Sequence, residues 1–301
     1  MKTLKFKKID AFTRGISSGN PAGYVFMSDR NYLTEKEMQK MACELKGYVN
    51  EIGFVNRVGD EFNLKFFSSE CEVSFCGHVT IAIMYDLLRN SRDLISKQEI
   101  FINVTAGKLS VFNHLSDEDA VYIMAPDPEF LECDLTPSEV AKVLHVGRSA
   151  IDDSRPVKFI NGGLKTLLVP INSLAECLNM LPNQESLRLF CLNNGIDIVH
   201  VSTKETFCDD CQYRTRVFAP KYGYLEDPAT GSGNAAFGYY LINLGLWKEN
   251  ISVEQGPSKF NPNFVKLRKI TLNKKENMLF GGCCTTRIQG KYYLHEHDLG
   301  E

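Results

Sequence analysis

Residues 76–88 read CGHVTIAIMYDLL, in which a polar start is followed by a run of small and apolar residues typical of a helix. Residues 231–243, GSGNAAFGYYLIN, repeat this arrangement in the second half of the chain. Each stretch follows a predicted strand that ends in phenylalanine and then an irregular polar loop. This parallel predicts an internal duplication: two α+β halves, each with a helix that begins at a glycine.

The remaining elements follow outward from these two helices. In the first half, apolar and polar residues alternate in segments that predict strands at residues 4–12, 23–26, 51–58, 62–67, 99–104 and 108–112. Thr34 and Glu37 have the spacing of a capping box, which predicts the start of a helix over residues 33–45. In the second half, the pattern predicts a helix at 137–144, strands at 165–169, 197–202 and 213–218, and two helices between the first and second of these strands.

The domain boundary is expected near Pro126 and Pro128, because two prolines resist regular structure. We therefore predict an N-terminal half over residues 1–120 and a C-terminal half over residues 121–301. The extreme C-terminus is expected to be able to pack back on the first half.

The composition limits the classes of protein to which the chain can belong. The chain has 301 residues, with Lys+Arg 34 against Asp+Glu 37 and a net charge of -3. A nucleic-acid-binding protein usually has a basic excess or stripe, and this chain has neither. No apolar stretch approaches the roughly 18 residues that a membrane helix needs, and residues 1–12 do not resemble a signal peptide. We therefore expect a cytoplasmic protein without nucleic-acid or membrane partners.

Ten cysteines are scattered along the chain, several of them inside apolar runs, such as Cys177 and Cys191. Without a secretory signal these are expected to be reduced thiols that act as small core residues. Cys208 and Cys211 have the spacing of half a zinc site, but no second pair accompanies them. We expect no metal and no cofactor.

The two helix starts at Gly77 and Gly231 suggest chemistry. The first N–H groups of a helix have no partner within the helix, and the helix dipole adds partial positive charge there. One such end binds an anion, and two facing ends could hold a carboxylate or stabilise an enolate. The alternative is that both glycines only allow tight turns into buried helices.

Three ionisable residues accompany these helix starts. His78, in the first helical turn, is suited to donating a hydrogen bond or shuttling a proton, or else is a structural histidine. Asp227 precedes the second helix, where it could act in the site or cap free N–H groups. Glu51 opens an apolar strand. Partial burial there would raise its pKa as a general acid/base requires, unless it lies at an exposed strand end.

Several motifs occur in a recognisable order along nearly the whole chain. They are residues 9–13 (IDAFT), 19–21 (GNP), 50–55 (NEIGFV), 76–80 (CGHVT), 216–220 (RVFAP), 226–233 (EDPATGSG) and 254–256 (EQG). In these motifs the chain resembles the phenazine-biosynthesis PhzF-like family, which has a diaminopimelate-epimerase-like fold.

The resemblance implies a fold and a set of functional residues. Each of two α+β domains would be a curved mixed or antiparallel sheet wrapped around a central helix, with the active site in the cleft between them. The family's catalytic residues would be Glu51, His78 and Asp227. Its substrate-binding groups would fall on Asn20, Cys76, Gly77, Thr230, Gly231 and Ser232. Homodimers are common among relatives, so a homodimer is a further expectation.

Related racemases of this fold use two cysteines, whereas this chain has Cys76 at one place and Thr230 at or near the other. A two-thiol mechanism is therefore disfavoured. We predict a cofactor-independent isomerase that moves a proton within a small carboxylate-bearing substrate. The alternatives are a non-catalytic protein that binds small acids and a Cys76-dependent hydrolase. For the hydrolase, Cys76 and His78 are two residues apart at a helix start, so their side chains are not expected to face each other.

Overall fold

The computed structural model describes residues 1–28, 31–272 and 274–295. The chain forms two compact units: Met1–Ile123 together with Gly281–Glu301, and Met124–Phe280. Each unit contains strands and helices, as the predicted α+β class requires. None of the helices in the described ranges is long and apolar enough to cross a membrane.

The first unit is built on a mixed set of strands. They are β1 (Lys2–Ala11), β2 (Asn20–Phe26), β3 (Glu51–Val58), β4 (Glu61–Ser68), β5 (Glu72–Val73), β6 (Glu99–Val104), β7 (Gly107–His114), β8 (Ala120–Met124) and β18 (Cys284–Leu294). Strands β2 and β3 are parallel, as are β4 and β6. Strands β3 and β4 form an antiparallel hairpin, with the Gly59–Asp60 turn between them.

Among its described residues, this unit has two α-helices. Helix α1 (Glu35–Glu44) begins after Thr34, and the predicted capping box with Glu37 is present. Helix α2 (Gly77–Asn90) begins at the predicted glycine, and every residue from Val79 to Leu88 is buried. A helix that is buried on all sides lies inside a domain rather than on its surface. Helix α2 contacts β1, β2, β3 and β18, which makes it the central helix of the first unit.

The second unit repeats the plan with different strands. They are β9 (Glu129–Leu131), β10 (Lys158–Asn161), β11 (Lys165–Pro170), β12 (Ile198–Thr203), β13 (Tyr213–Phe218), β14 (Glu226–Asp227), β15 (Ile251–Gln255), β16 (Asn263–Leu272) and β17 (Lys275–Gly282). Strands β11 and β12 are parallel, as are β13 and β15, and β12 pairs with β13 antiparallel.

Four α-helices lie among the described residues of the second unit. They are α3 (Pro137–Val143), α4 (Leu174–Asn179), α5 (Gln184–Asn193) and α6 (Gly231–Asn243). Helix α6 contacts β10, β11, β12 and β16, and nearly all of its residues from Gly231 to Leu241 are buried. It is the counterpart of α2, and the predicted pair of glycine-initiated helices is confirmed.

Several strands were not apparent from the sequence. Strands β5, β9 and β14 have only two or three residues each, too few to show a period. Strand β18 is exposed over most of its length, so it lacks the apolar alternation of a half-buried strand. Its pairing with β1 along the whole of both strands, from Lys2 opposite Leu294 to Ala11 opposite Cys284, comes from tertiary structure.

The cysteines follow the expected pattern in part. All ten are free thiols. Cys177 and Cys191 are completely buried and belong to the same apolar core in the second unit. Cys43 and Cys71 are exposed instead.

Candidate active site

Glu51 and His78 lie next to each other in the first unit. Glu51 is the first residue of β3, where its backbone pairs with Ala22 of β2 on one side and Ser68 of β4 on the other. Its Oε2 lies 3.4 Å from Nε2 of His78, and the two side chains are 19% and 11% exposed. Glu51 is therefore largely enclosed rather than at an exposed strand end.

The protonation state of His78 follows from its burial. Burial lowers the pKa of this histidine from 6.5 to about 4, and a hydrogen bond with the backbone of Pro21 opposes the shift. At neutral pH the imidazole is therefore uncharged, with one protonated and one unprotonated ring nitrogen. Such a ring can donate one hydrogen bond and accept another.

Nδ1 of His78, the ring nitrogen that does not face Glu51, faces Cys76. The distance between Sγ of Cys76 and Nδ1 of His78 is 3.4 Å. The expectation that these two side chains would not face each other is wrong. Cys76 is the N-cap of α2 and has an extended backbone, with φ -135° and ψ 109°, so helical spacing does not apply to it. The result is a row of contacts from carboxylate to imidazole to thiol, in which a carboxylate oxygen and the thiol sulfur also lie within 4.8 Å of each other.

Asn20 begins β2, and its side chain is buried. The residue before it, Gly19, has φ +70°, and a Cβ there would lie 2.6 Å from the carbonyl oxygen of Ala11. The residue after it, Pro21, is the one whose backbone bonds His78. At Gly19 the backbone conformation and the close approach of Ala11 therefore leave no room for a side chain. At Pro21 the backbone contact with His78 brings β2 against the start of α2.

The second unit contains its own polar cluster, formed by Asp227 and the start of α6. Asp227 is buried, and its backbone pairs with Val217 of β13. The hydroxyl of Thr230, the N-cap residue, donates a short hydrogen bond to Oδ2 of Asp227. Thr230 makes no side-chain cap to its own helix. Its hydroxyl proton is therefore used by Asp227 and is not available to a bound anion.

Gly231 has a packing role that the sequence did not indicate. A Cβ at this position would lie 2.3 Å from Cδ2 of Phe280, so the aromatic ring occupies the space that a side chain needs. This close packing is a reason for glycine at position 231 that differs from both the anion-binding role and the tight turn. The helical hydrogen bonds start with the N–H of Asn234, which donates to the carbonyl of Thr230. The N–H groups of Gly231 and Ser232 precede it and therefore lie in the first turn, where helical N–H groups have no partner within the helix.

Gln255 is a residue of this cluster to which sequence analysis assigned no role. Its Nε2 lies 3.0 Å from Oγ1 of Thr230, and its Oε1 lies 3.0 Å from the backbone nitrogen of Thr230. It is completely buried at the end of β15. The motif at residues 254–256 was the available signal, but a glutamine in a strand does not reveal its partner.

Two buried ion pairs hold the strands around this cluster. Arg214 and Glu254 are both fully buried and lie 3.1 Å apart. Arg216 binds both carboxylate oxygens of Glu226, at 3.0 and 2.8 Å, directly before Asp227. Bidentate pairs of this kind restrict the orientation of both side chains. The backbone that carries Asp227 and Gln255 is therefore rigidly supported.

A metal ion is the cofactor that the first unit's row could hold. The ligand atoms of Glu51, Cys76 and His78 all lie within 4.8 Å of one another, and these residue types bind zinc. However, the thiol and the carboxylate each face a different nitrogen of the imidazole. A single ion would meet only one of these nitrogens, so the arrangement suits a row of proton donors and acceptors better than a ring of three ligands.

The candidate residues thus fall into two sets. The first unit carries Asn20, Glu51, Cys76, Gly77 and His78, and the second unit carries Asp227, Thr230, Gly231 and Ser232. Within each unit the set lies at the start of the central helix. Each start also shares one detail: the side chain four residues on, Thr80 or Asn234, donates to the carbonyl of the N-cap residue.

Comparison with solved structures agrees with this plan. A phenazine biosynthesis protein of the PhzF family from Bacillus anthracis superposes with a TM-score of 0.85, at 26% identity over 97% of this chain and all of the other. A Pseudomonas aeruginosa protein described as a predicted epimerase gives a TM-score of 0.74 at 18% identity, covering 96% and 99% of the two chains. The fold is therefore the one shared by PhzF-family proteins and this predicted epimerase.

Sequence comparison identifies the family. The family model described as "Phenazine biosynthesis-like protein" matches residues 9–290, and the chain belongs to this family. It is 30% identical to the uncharacterized isomerase YfhB of Bacillus subtilis over 262 residues, 85% of this chain and 87% of the relative. It is 28% identical to antisense-enhancing sequence 1 of Schizosaccharomyces pombe over 306 residues, 98% and 100% of the two chains.

Proposed function

We propose that the protein is a cofactor-independent isomerase that moves a proton within a small carboxylate-bearing substrate. The observation that carries this proposal is the contact between Glu51 and a histidine that burial keeps neutral, at 3.4 Å. A carboxylate largely shielded from water is a suitable base for a carbon-bound proton. The neutral imidazole beside it donates its one N–H to the Pro21 carbonyl and leaves the negative charge of the carboxylate unneutralised.

In the proposed reaction Glu51 removes a proton from a substrate carbon. The electron pair of the broken C–H bond spreads into the conjugated acid and forms an enolate-like intermediate. The N–H groups at the start of α2 would stabilise its negative charge. The protonated Glu51 then returns the proton to a different carbon, which completes the isomerisation without any other reactant.

The second set of residues is assigned to substrate orientation. Asp227 accepts a hydrogen bond from Thr230 at Oδ2 and so is held as an acceptor, suited to a donor group of the substrate. The N–H groups of Gly231 and Ser232 would bind a negatively charged group. Thr230 would act through Asp227, because its one hydroxyl proton points there.

The test is deuterium incorporation from heavy water. We would incubate the full chain with a panel of small unsaturated carboxylic acids and follow proton exchange and isomerisation by NMR. Glu51→Gln should lower the rate by about 100- to 10,000-fold, as expected for loss of a general base. Glu99→Gln is the matched control, because Glu99 also opens a strand but is exposed. Full turnover by Glu51→Gln would show that Glu51 is not the base.

A thiol-dependent hydrolase is the second candidate, since the row from Cys76 through His78 to Glu51 has the order of nucleophile, base and orienting acid. Cys76→Ala separates the two functions. Isomerisation without Cys76, and no hydrolysis of a panel of esters, would eliminate the hydrolase. Loss of an ester-cleaving activity together with mild alkylation of Cys76 in the wild-type protein would support it.

A protein that only binds small acids would behave differently from both. It would bind an acid from the panel tightly, yet neither convert it nor exchange its carbon-bound protons in heavy water. Calorimetric binding combined with the same NMR assay therefore separates binding from catalysis.

A further inference from the structure

A chain of buried side chains leads from the interior of the second unit to Asp227. It runs from His200 of β12 through Asn234 of α6 and Gln255 of β15 to Thr230. His200, Asn234 and Gln255 are completely buried. The distances are 3.3 Å from Nε2 of His200 to Oδ1 of Asn234, and 2.7 Å from Nδ2 of Asn234 to Oε1 of Gln255.

Backbone groups establish the direction of two of these hydrogen bonds. The N–H of Thr230 can only donate, so the Gln255 atom 3.0 Å away must be the amide oxygen. The carbonyl of Asp227 can only accept, so the Gln255 atom 2.9 Å from it must be the amide nitrogen. Similarly, the carbonyl of Thr230 accepts from Nδ2 of Asn234 at 2.9 Å. Both side-chain amides are therefore oriented without ambiguity.

The remaining directions follow from these. The second N–H of Gln255 points to Oγ1 of Thr230, 3.0 Å away, so that oxygen accepts and its own proton goes to Asp227. Oδ1 of Asn234 can only accept, so the proton between it and His200 must be on Nε2 of the imidazole. Burial lowers the pKa of His200 to about 4, so the ring carries no second proton at neutral pH.

We propose that Gln255, Asn234 and His200 are positioning residues that orient the Thr230 hydroxyl toward Asp227 and hold Oδ2 of Asp227 as a hydrogen-bond acceptor. This inference rests on the proposed function, in which Asp227 orients the substrate. Every side-chain proton in the chain is donated toward Asp227 or toward the backbone next to it, and the backbone N–H of Thr230 donates in the other direction, to Gln255. A proton on Oδ2 would conflict with the Thr230 hydroxyl, so Asp227 is maintained as an acceptor at this atom.

The N-cap of α6 shows that this arrangement is more than the pairing of buried polar groups. An N-cap threonine usually accepts a hydrogen bond from the first turn of its own helix, which stabilises the helix. Thr230 makes no such bond, and its hydroxyl is turned to Asp227 instead. The helix gives up its side-chain cap, and what it gains is a defined orientation of the acid beside its first turn.

The tautomer of His200 tests the direction of the chain without any substrate. In the full chain labelled with ¹⁵N-histidine, NMR at pH 7 should show His200 neutral and protonated on Nε2. The signal is assigned by its absence from His200→Phe or, where that variant does not fold, by sequential backbone assignment. A ring protonated on Nδ1 alone, or on both nitrogens, would overturn the proposal, because Asn234 would then have to be reversed or the ring charged.

The effect on catalysis is tested with Gln255→Glu, which keeps the acceptor for the Thr230 N–H but removes both donors. Measured on the substrate found in heavy water, kcat should fall by about 100-fold, as for a misplaced catalytic group, with KM within about threefold. The pH profile of kcat should also change, because Gln255 would no longer orient the Thr230 hydroxyl that donates to Asp227. Gln212→Glu is the matched control: Gln212 also accepts a backbone hydrogen bond, from Ser252, but is exposed.

Thr230→Ser and Thr230→Val provide a second measurement in case Gln255→Glu does not fold. Serine retains the hydroxyl and should preserve most of kcat, whereas valine should lose as much as Gln255→Glu. Equal activity of the two variants, or an unchanged kcat and pH profile in Gln255→Glu, would overturn the positioning role. Failure of the proposed function is a separate result, since it would appear as full turnover by Glu51→Gln.

Discussion

At the scale of single residues, burial determines the chemistry of the first unit's row. His78 has a carboxylate 3.4 Å from one nitrogen and a thiol 3.4 Å from the other. Burial lowers the pKa of this ring to about 4, and the hydrogen bond with the Pro21 backbone opposes the shift without cancelling it. The histidine is therefore suited to exchanging hydrogen bonds rather than to supplying positive charge.

The two buried histidines predict how stability depends on pH. In the folded protein the pKa values of His78 and His200 are lowered from 6.5 to about 4. Between these values the unfolded chain binds more protons, so the free energy of unfolding falls as pH decreases through this window. Above about pH 6.5 both rings are neutral in the folded and the unfolded chain, so they do not make the free energy of unfolding depend on pH. The loss at pH 4 amounts to about 3 kcal/mol for each ring.

Urea unfolding between pH 4 and 7 checks this prediction. The two histidines make the free energy of unfolding fall as pH decreases. His200→Gln should remove about half of that contribution, because one of the two rings is lost. His145→Asn is the control, because His145 is exposed and its positive φ is one that asparagine tolerates. The same pH dependence in wild type and His200→Gln would mean that His200 titrates normally in the folded state.

At the scale of elements, the starts of α2 and α6 share a plan but differ in their N-caps. Cys76 contacts the imidazole in the first turn of its helix, whereas Thr230 bonds the acid that precedes its helix. Neither N-cap side chain bonds its own helix. The sequence indicated where both helices begin. It did not indicate the partner of either N-cap side chain, which depends on the extended backbone of Cys76 and, for Thr230, on the position of Asp227 in β14.

Gly231→Ala tests the packing of α6. Replacing glycine by alanine in a helix normally stabilises by about 1 kcal/mol. Here the new Cβ would meet the ring of Phe280 at 2.3 Å, so we expect a loss of about 1–3 kcal/mol instead. Thermal or urea unfolding measures it. Adding Phe280→Leu should recover part of the loss, and Gly290→Ala, with nothing within 4 Å, should be neutral. A stabilised Gly231→Ala would contradict the contact.

At the scale of the whole molecule, the chain closes the first unit with its own last strand. β1 and β18 pair along their full lengths, with Lys2 opposite Leu294. The two ends of the described chain are therefore neighbours, although Lys2 and Leu294 are 292 positions apart in the sequence (294 minus 2). A strand contributed from so far along the chain is a long-range contact that local sequence patterns do not encode.

Circular permutation tests this closure. A permutant in which a short Gly/Ser linker joins residue 295 to residue 1, with new ends between Gly59 and Asp60, should fold with nearly the wild-type urea midpoint. The new ends lie in an exposed hairpin turn, where breaks are tolerated. Deletion of residues 284–295 should instead abolish protection from hydrogen exchange at residues 2–5 of β1, which pair with β18 and lie outside the pairing with β2. A deletion variant that keeps this protection would show that β18 is dispensable.

Local patterns were sufficient for much of the fold. The capping box of Thr34 and Glu37, the hairpin around Gly59 and the starts of both central helices follow from neighbouring residues, and the structure has all of them. Such features depend on backbone preferences and short-range hydrogen bonds, which a sequence displays directly. The candidate residues Glu51, His78 and Asp227 could also be named, because their positions at strand and helix starts are local.

The partners of those residues were decided by tertiary structure. No spacing in the sequence indicates that Cys76 turns toward His78, that Phe280 occupies the space beside Gly231, or that Gln255 bonds Thr230. Each contact joins side chains whose approach depends on an N-cap conformation or on a strand from elsewhere in the chain. The sequence by itself therefore determined both central helices, many of the other elements and the types of reactive group. Packing determined their hydrogen-bond partners, and through burial it set the charge state of His78 and His200.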